Sequence, residues 1–323
     1  MKRFLLFCAR ALVIVIASLA ALFVYFVYTP APELPPLSGQ LSSDSIDVAG
    51  TQRSYTRYVP AQLRKGAALV LVLHGSGEGA GQMRRETGYA FERLADRHGF
   101  AVVYPNALEG LWNACSIVGA VGAHGRAADD VAFLTQLVDR LAAQLPIDAN
   151  RVFATGSSRG GSMVLRLALE APSRFRAVAA VSASVPTPDN FQCTPGAQGT
   201  SSVMIMNGTQ DPLMPFEGGE VSLFGLLYRN GTVRSSRDSG QYFADLNHLI
   251  GAPEIQQTPL AAGVRVEQFR WPGAGRIEVE LVAVHGAGHG MPQPYRRRPR
   301  LLGPSPTVPN GPELIWVFFE RQH

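Results

Sequence analysis

The stretch that decides the fold is Arg151-Val152-Phe153-Ala154-Thr155-Gly156-Ser157-Ser158-Arg159-Gly160-Gly161. Residues 151–155 are largely apolar and include β-branched and aromatic side chains, which predicts a short buried strand. Residues 163–169 have apolar side chains at helical spacing and end before Pro172, which predicts a helix. In a tight turn between a strand and a helix, G-x-S-x-G holds the serine hydroxyl outward, and its glycines leave room for neighbouring backbone. Ser158 is therefore the candidate nucleophile.

Strands and helices alternate along the rest of the chain. Residues 67–73 are continuously apolar, as expected of a central strand that is buried on both faces. A long amphipathic helix is predicted from about Asp129, because apolar residues recur there at helical spacing. Further strands are predicted at residues 54–59, 100–104, 177–181, 203–207 and 279–284. This alternation predicts one α/β domain with a mostly parallel central sheet covered by helices on both faces.

Polar residues follow three of these predicted strands. Ser158 follows one, Asp211 lies in the segment 207–212 after the next, and His289 lies in the segment 285–290 after the last. The carboxyl ends of parallel strands meet at one edge of the sheet, where chemistry gathers. Because the order Ser, Asp, His is that of the α/β-hydrolase fold, the sequence predicts this fold and a catalytic site made by these three residues.

Ser, His and Asp each suit one role in nucleophilic catalysis. For the base and for the acid, other residues of the chain are alternative candidates. A serine hydroxyl needs an adjacent base, here His289, and Asp211 would fix the tautomer of that imidazole. Asp211 could instead be an ordinary turn residue. Asp129 and Asp130 are rival acids, but they stand where a helix begins and are interpreted as helix caps. His285 is a rival base. The surrounding glycines disfavour the helix on which His285 and His289 could share a metal ion, so a metal site is not predicted.

Two backbone N–H groups are the predicted oxyanion donors. One belongs to Arg159, the residue after the nucleophile, and the other to the glycine-rich loop 74–77, with Ser76 the first choice. The alternative is that this loop is only a turn, although it directly follows a buried strand. His74 is interpreted as a structural residue beside the loop.

The N-terminal segment is apolar from Phe4 to Tyr28 and carries one charge, Arg10. Residues 11–28 form an uncharged stretch that spans about 27 Å as a helix, close to the thickness of a bilayer core. Because the basic residues stand at its N-terminal side, that end is predicted to be cytoplasmic and the rest extracytoplasmic, periplasmic or extracellular. A cleaved signal peptide is the alternative, and the product would then be secreted.

The predicted domains are therefore three. Residues 1–28 form a membrane anchor or signal sequence, residues 29–40 a proline-rich linker, and residues 41–323 the α/β domain. The net charge is only +4, so nucleic acid is not an expected partner of an exported domain. The most basic segment, residues 296–300, could touch anionic lipid or polysaccharide, but a solvated loop is the favoured interpretation.

The positions of the three cysteines are relevant to the compartment in which the domain folds. Cys8 lies in the apolar segment, which leaves Cys115 and Cys193 for an oxidising environment. A bond between them would stabilise the fold by about 4–5 kcal/mol in the chain-entropy model. Two free buried thiols are the alternative.

Several segments together resemble a known family. They are Leu73–Gly77, Arg97–Pro105, Trp112–Cys115, Asp129–Val131, Pro146–Gly161, Asn207–Pro212 and Gly288–His289. In these segments the chain is similar to the secreted esterases grouped as polyhydroxybutyrate-depolymerase-like, with feruloyl and acetyl-xylan esterases as relatives. The resemblance covers roughly residues 48–319. It implies a cofactor-free serine esterase that forms an acyl-enzyme from a small or polymeric ester.

Two sites depart from the family pattern, and two other functions are compatible with the sequence. Gly290-Met291 stands where members usually have an aromatic residue, and Ser157 is smaller than usual, so the walls near the substrate differ. An exopeptidase or amidase could use the same three residues, and a non-catalytic envelope binding module is a third hypothesis. The segment 216–262, with Phe224, Leu226, Leu227 and Tyr228, either shapes the substrate cleft or packs as a surface excursion.

Overall fold

A computed structural model gives the fold of the chain. It describes residues 2–118, 128–196, 199–225, 227, 229–273 and 277–322. The strands are β1 Gln40–Val48, β2 Thr51–Val59, β3 Ala67–Leu73, β4 Ala101–Pro105, β5 Ile147–Ser157, β6 Ala177–Val181, β7 Ser202–Gly208, β8 Gly219–Glu220, β9 Thr232–Val233, β10 Glu254–Pro259, β11 Arg265–Pro272 and β12 Glu278–His285. The helices are α1 Lys2–Phe26, α2 Ala80–Glu86, α3 Ala90–His98, α4 Asp130–Gln144, α5 Arg159–Glu170, α6 Ser236–Leu246 and α7 Gly311–Glu320.

One 10-stranded sheet runs through the domain in the order β1-β2-β4-β3-β5-β6-β7-β12-β11-β10. The strands from β4 to β12 in this order are parallel to their neighbours. Antiparallel strands flank them, β2 and β1 at one side and β11 and β10 at the other. The predicted α/β-hydrolase fold with a mostly parallel sheet is therefore confirmed.

Two apolar cores lie on opposite faces of this sheet. In β3, Leu71 points into the core formed with α4 and α5, while its neighbour Val72 points into the core formed with α3 and α7. Successive side chains of a strand point to opposite faces, so a strand covered on both sides must be apolar throughout. This requirement explains the unbroken apolar run of residues 67–73.

The hairpin of β1 and β2 extends the sheet beyond the predicted strand at residues 54–59. Most side chains of β1 are exposed, and only Ile46 and Val48 are buried. Residues 42–45 are Ser, Ser, Asp and Ser, which have low strand propensity and give no apolar alternation. The sequence therefore carried no signal for β1; pairing with β2 places it at the edge of the sheet.

Helix α1 precedes the domain. None of its residues is buried, and it is long and apolar enough to cross a membrane, a property that signal sequences share. Its end packs against a loop of the domain, as described below.

Candidate active site

Ser158 occupies the turn between β5 and α5. Its φ of 57° and ψ of −121° place it in a backbone conformation that is costly for a non-glycine residue. Its N–H donates to the Val181 carbonyl at the end of β6, at 2.8 Å. A Cβ on Gly156 would lie within 3.0 Å of the Gly160 backbone, and one on Gly160 within 3.0 Å of the Leu73 carbonyl. Both glycines of the motif are therefore required by close packing of backbone.

Asp211 and His289 form a buried pair. The His289 Nδ1 lies 2.8 Å from Asp211 Oδ2, and the two side chains are 3% and 0% exposed. The other carboxylate oxygen accepts N–H groups from Leu213 and Met214, each at 2.8 Å. An ionised carboxylate only accepts hydrogen bonds, so the pairing assigns the proton of the neutral imidazole to Nδ1. The unprotonated Nε2 is thereby left as the basic nitrogen.

The loop that carries His289 lies at the strand end that also holds the serine turn. The Gly290 N–H donates to Ser182 Oγ at 2.7 Å, and Ser182 directly follows Val181, the residue that holds the Ser158 N–H. The structure thus brings Ser158 and the paired His289 to the end of β6. Among the described residues, no hydrogen bond joins the Ser158 hydroxyl to His289, and such bonds often tighten only when substrate is bound.

The loop after β3 is shaped by hydrogen bonds around Ser76. The Gly75 N–H donates to the Glu78 carboxylate at 3.0 Å, and the Gly77 N–H donates to the Gly110 carbonyl at 2.9 Å. These contacts fix the backbone on both sides of Ser76. The loop therefore has a defined conformation at the carboxyl edge of the sheet, where the fold places oxyanion donors.

Arg159 is the first residue of α5, and its backbone N–H and its side chain have different surroundings. Its N–H belongs to the first turn of the helix, where N–H groups point out of the helix end. Its buried guanidinium donates to the Trp112 carbonyl at 2.7 Å and to Ser116 Oγ at 2.5 Å. Between these two residues, Cys115 forms a disulfide with Cys193. The side chain of Arg159 therefore connects the disulfide loop to the turn that holds Ser158.

His74 uses both ring nitrogens inside the protein. Its Nδ1 lies 2.7 Å from the Gly75 carbonyl, and its Nε2 accepts the Ala107 N–H at 3.0 Å. Burial lowers the pKa of His74, although the bond to Gly75 acts in the opposite direction. A neutral imidazole with these fixed partners supports the loop and takes no part in proton transfer.

Glu78 is a residue of the site that the sequence analysis missed. Burial raises the pKa of its carboxyl, while Arg298, the Gly75 N–H and a charge on His289 lower it. Its carboxylate accepts the Gly75 N–H at 3.0 Å, which places Glu78 in the loop of Ser76. The sequence feature that could have indicated Glu78 is that it is the one acidic residue in the glycine-rich segment 74–79.

The rival acids have other roles. Asp129 is exposed and caps α4, accepting the Ala132 N–H at 2.9 Å, so the cap prediction is confirmed there. The same prediction is wrong for Asp130. Its buried carboxylate lies 2.5 Å from Arg53 and accepts the Asn113 N–H at 2.7 Å. Asp130 is the first residue of the helix rather than its cap, and its partners come from distant segments.

His285, the rival base, lies at the end of β12 and contacts Glu267 of β11 at 3.2 Å. Its ring nitrogens also lie 3.4 Å from the Arg265 guanidinium. Within the described ranges, no cluster of three or more His, Cys, Asp or Glu side chains is arranged to hold a metal ion.

A narrow apolar cavity of about 20 Å³ lies between helix α5 and the loop that follows Asp211. Ser162, one helical turn after Ser158, and Met214, near Asp211, are part of its wall. The excursion 216–262 contributes to the same wall through Val221 and Val233.

The rest of that excursion is more varied. Phe224 and Leu227 are exposed, while Phe243 of α6 is fully buried. Two positions of the predicted cleft, Leu226 and Tyr228, lie outside the described residues. The excursion thus combines a packed helix with a short segment beside the cavity.

Comparisons with known proteins find similar sequences and a similar fold. A model of the family "Esterase PHB depolymerase" matches residues 53–213. The putative esterase NocK of Nocardia uniformis subsp. tsuyamanensis is 30% identical over 292 residues, which cover 85% of this chain and 81% of that protein. An acetylxylan esterase of Coprinopsis cinerea is 25% identical over 275 residues, covering 82% of this chain and 72% of the relative.

A solved structure supports the fold. The acetyl xylan esterase from Aspergillus awamori superposes with a TM-score of 0.58 at 17% identity, covering 87% of this chain and 99% of that one. At this identity the likeness concerns the fold alone.

Proposed function

Because this chain belongs to the esterase PHB depolymerase family and is a carboxylic ester hydrolase, we propose that it acts through a triad of Ser158, His289 and Asp211. The observation that carries the proposal is the buried Asp211–His289 hydrogen bond of 2.8 Å, at the strand end that also holds the Ser158 turn. The pairing leaves a basic Nε2 on the imidazole, which is the group that a serine hydroxyl needs.

The proposed reaction has two symmetrical halves. His289 takes the proton of Ser158 as its oxygen attacks the ester carbonyl, and Asp211 stabilises the imidazolium. The oxyanion is bound by the N–H groups of Ser76 and Arg159, each contributing on the order of 10²–10³ in rate. The imidazolium then protonates the leaving alcohol. Water, activated by the same nitrogen, hydrolyses the acyl-enzyme and restores the serine.

Polyhydroxyalkanoate-like, feruloyl and acetyl esters are the proposed substrate classes. Their support is the family and the acetylxylan esterase among the relatives. The narrow cavity beside Ser162 and Met214 favours short acyl groups, because its apolar walls leave little room. A panel of p-nitrophenyl esters from acetyl to octanoyl, with methyl ferulate, measures this preference. Faster turnover of octanoyl than of acetyl and butyryl esters contradicts it.

The domain division is proposed in the same way. Residues 1–28 anchor the chain, residues 29–40 space it, and residues 41–323 form an extracytoplasmic catalytic domain. The exposed apolar helix α1 and the disulfide, which persists in oxidising compartments, both support this arrangement. Retention of the chain in carbonate-washed membranes, with the domain open to protease in spheroplasts, is expected. Release of a shortened chain into the medium identifies a cleaved signal instead.

Ser158→Ala tests the nucleophile. We expect kcat for p-nitrophenyl acetate to fall roughly 10⁶-fold, as for other triad serines, with an unchanged melting temperature. A fluorophosphonate probe should label the wild type and fail to label the variant.

The matched control is Ser157→Ala, the neighbouring serine. Its buried Oγ has no hydrogen-bond partner among the described residues, so its removal should preserve both activity and labelling. Hydrolysis by Ser158→Ala at the wild-type rate rules out the triad.

A further inference from the structure

The basic segment, residues 296–300, contacts the end of helix α1. Arg300 Nη1 donates to the Tyr25 carbonyl at 3.2 Å, and its guanidinium lies 4.2 Å from the centre of the Tyr25 ring. Arg296 Nη2 donates to Thr29 Oγ1 at 3.1 Å. The segment interpreted from sequence as a solvated loop is therefore held against the end of the apolar helix.

A cavity of about 540 Å³ opens between the two elements. Tyr25 and Tyr28 form part of one side, and the arginines at 297, 298 and 300 form part of the other. It is larger than the apolar cavity beside Ser162 and shares no lining residue with it. Ester hydrolysis by this protein assigns no role to the cavity between the end of α1 and the basic segment.

The charge of this cavity is positive. Arg296 and Arg298 are both paired with the carboxylate of Glu86. Arg297 and Arg300 are exposed, and within the described ranges neither has a carboxylate partner. Two cationic side chains therefore border the cavity without a protein anion to neutralise them.

The position of helix α1 determines which kind of ligand can enter this cavity. Apolar side chains of α1 are exposed along its length, up to Tyr25 and Phe26. If α1 spans the bilayer as proposed, its last turn lies at the level of the headgroups, where tyrosine is enriched and arginine meets lipid phosphate. A ligand with a phosphate and acyl chains can then contact the arginines and the apolar helix together.

We propose that the cavity between the end of α1 and the basic segment binds the phosphate of an anionic phospholipid headgroup. This inference rests on the proposed membrane anchoring. The same loop is bonded to the catalytic histidine segment, since the His289 N–H donates to the Leu302 carbonyl at 2.7 Å and the Gly288 N–H to the Pro304 carbonyl at 2.6 Å. Headgroup binding thus holds the catalytic edge of the sheet towards the membrane.

The test uses the full chain in nanodiscs of phosphatidylcholine with a minor fraction of phosphatidylglycerol. After release into mild detergent, native mass spectrometry counts the lipids that the protein retains. The wild type should prefer phosphatidylglycerol by about 30-fold, since each arginine at a membrane surface contributes roughly 5-fold. Arg297→Gln should lose about 5-fold, and Arg297→Gln with Arg300→Gln should lose nearly all of the preference.

The matched control is Arg64→Gln with Lys65→Gln, which removes the same charge from exposed residues just before β3. Since β3 runs towards the catalytic edge, these residues lie at the opposite edge of the sheet, and the lipid preference should remain. Equal retention of both lipids by the wild type, or an equal loss in the control, overturns the proposal. Displacement of the lipid by millimolar inorganic phosphate identifies a phosphate site and overturns the lipid assignment.

Hydrolysis of p-nitrophenyl acetate by the same wild-type sample separates this proposal from the catalytic one. An active enzyme without lipid preference overturns the headgroup site alone. An inactive protein that retains phosphatidylglycerol overturns the triad alone.

Discussion

Two buried aspartates, Asp130 and Asp211, have nearly the same surroundings and different consequences. Each carboxylate accepts backbone N–H groups, and each is paired with one cationic or basic side chain, Arg53 at 2.5 Å and His289 at 2.8 Å. Burial raises the pKa of Asp130, and the Arg53 guanidinium opposes that rise. Burial and hydrogen bonding alone therefore do not distinguish the proposed catalytic aspartate from a structural one.

The partner and the position make the difference. A guanidinium keeps its proton at all ordinary pH values, so the Arg53–Asp130 pair can only hold segments together. An imidazole can accept and release a proton during a reaction, as general-base catalysis requires. His289 also lies at the strand end that holds Ser158, whereas Asp130 opens a helix beside the loop of Asn113. The comparison predicts that one pair governs rate and the other stability.

Of the two aspartate variants, Asp211→Asn should have the larger effect on rate. The amide can present its N–H to Nδ1 of His289 and so favour the wrong tautomer, which lowers kcat by about 10⁴-fold in other triads. The fold should remain, because the side chain keeps its shape. Steady-state kinetics with p-nitrophenyl acetate, together with circular dichroism, provide the measurement. A loss under tenfold means that Asp211 is only a turn residue.

Asp130→Asn should mainly change stability. Loss of the carboxylate leaves the buried Arg53 without a counter-charge, which typically costs about 3–5 kcal/mol. Urea unfolding measures the free energy, and kcat of the folded enzyme should fall by less than tenfold. Removing both charges, with Arg53→Met and Asp130→Leu, should recover at least half of the loss. If the double variant is no more stable than the single one, the uncompensated charge is not the cause.

These two pairs also show what the sequence can predict. Ser158, Asp211 and His289 each follow a predicted strand, so local patterns sufficed to nominate them and to predict the parallel sheet. The Arg53–Asp130 contact joins residues 77 positions apart, and no local pattern marks it. Strand β1 was missed because its exposed side chains are polar. Glu78 was missed because a single carboxyl in a glycine-rich loop gains meaning only when its neighbours are known.

His74 is a buried histidine whose predicted role, unlike that of His289, is structural. Burial lowers the pKa of His74 below its ordinary value of 6.5, so the folded state resists protonation. The unfolded chain then binds more protons below pH 6.5, and the contribution of His74 to stability is present above that pH and lost as pH falls. The slope from one such group is at most about 1.4 kcal/mol per pH unit.

His74→Asn isolates this contribution, because its amide can still donate to the Gly75 carbonyl but does not titrate. The free energy of unfolding, measured in urea at pH 5.5, 6.5 and 7.5, should fall less steeply on acidification in the variant than in the wild type. Equal slopes in the two proteins exclude His74 as the titrating group.

Asp129 completes the comparison as an exposed aspartate beside the buried Asp130. Its carboxylate satisfies the Ala132 N–H at the start of α4, so Asp129→Ala should cost about 1 kcal/mol in unfolding free energy and leave kcat unchanged. Asp129→Asn is the matched control, since asparagine caps helices as well as aspartate does. A loss in Asp129→Ala as large as that in Asp130→Asn places Asp129 within the buried network. If Asp129→Asn costs as much as Asp129→Ala, the negative charge matters more than the cap.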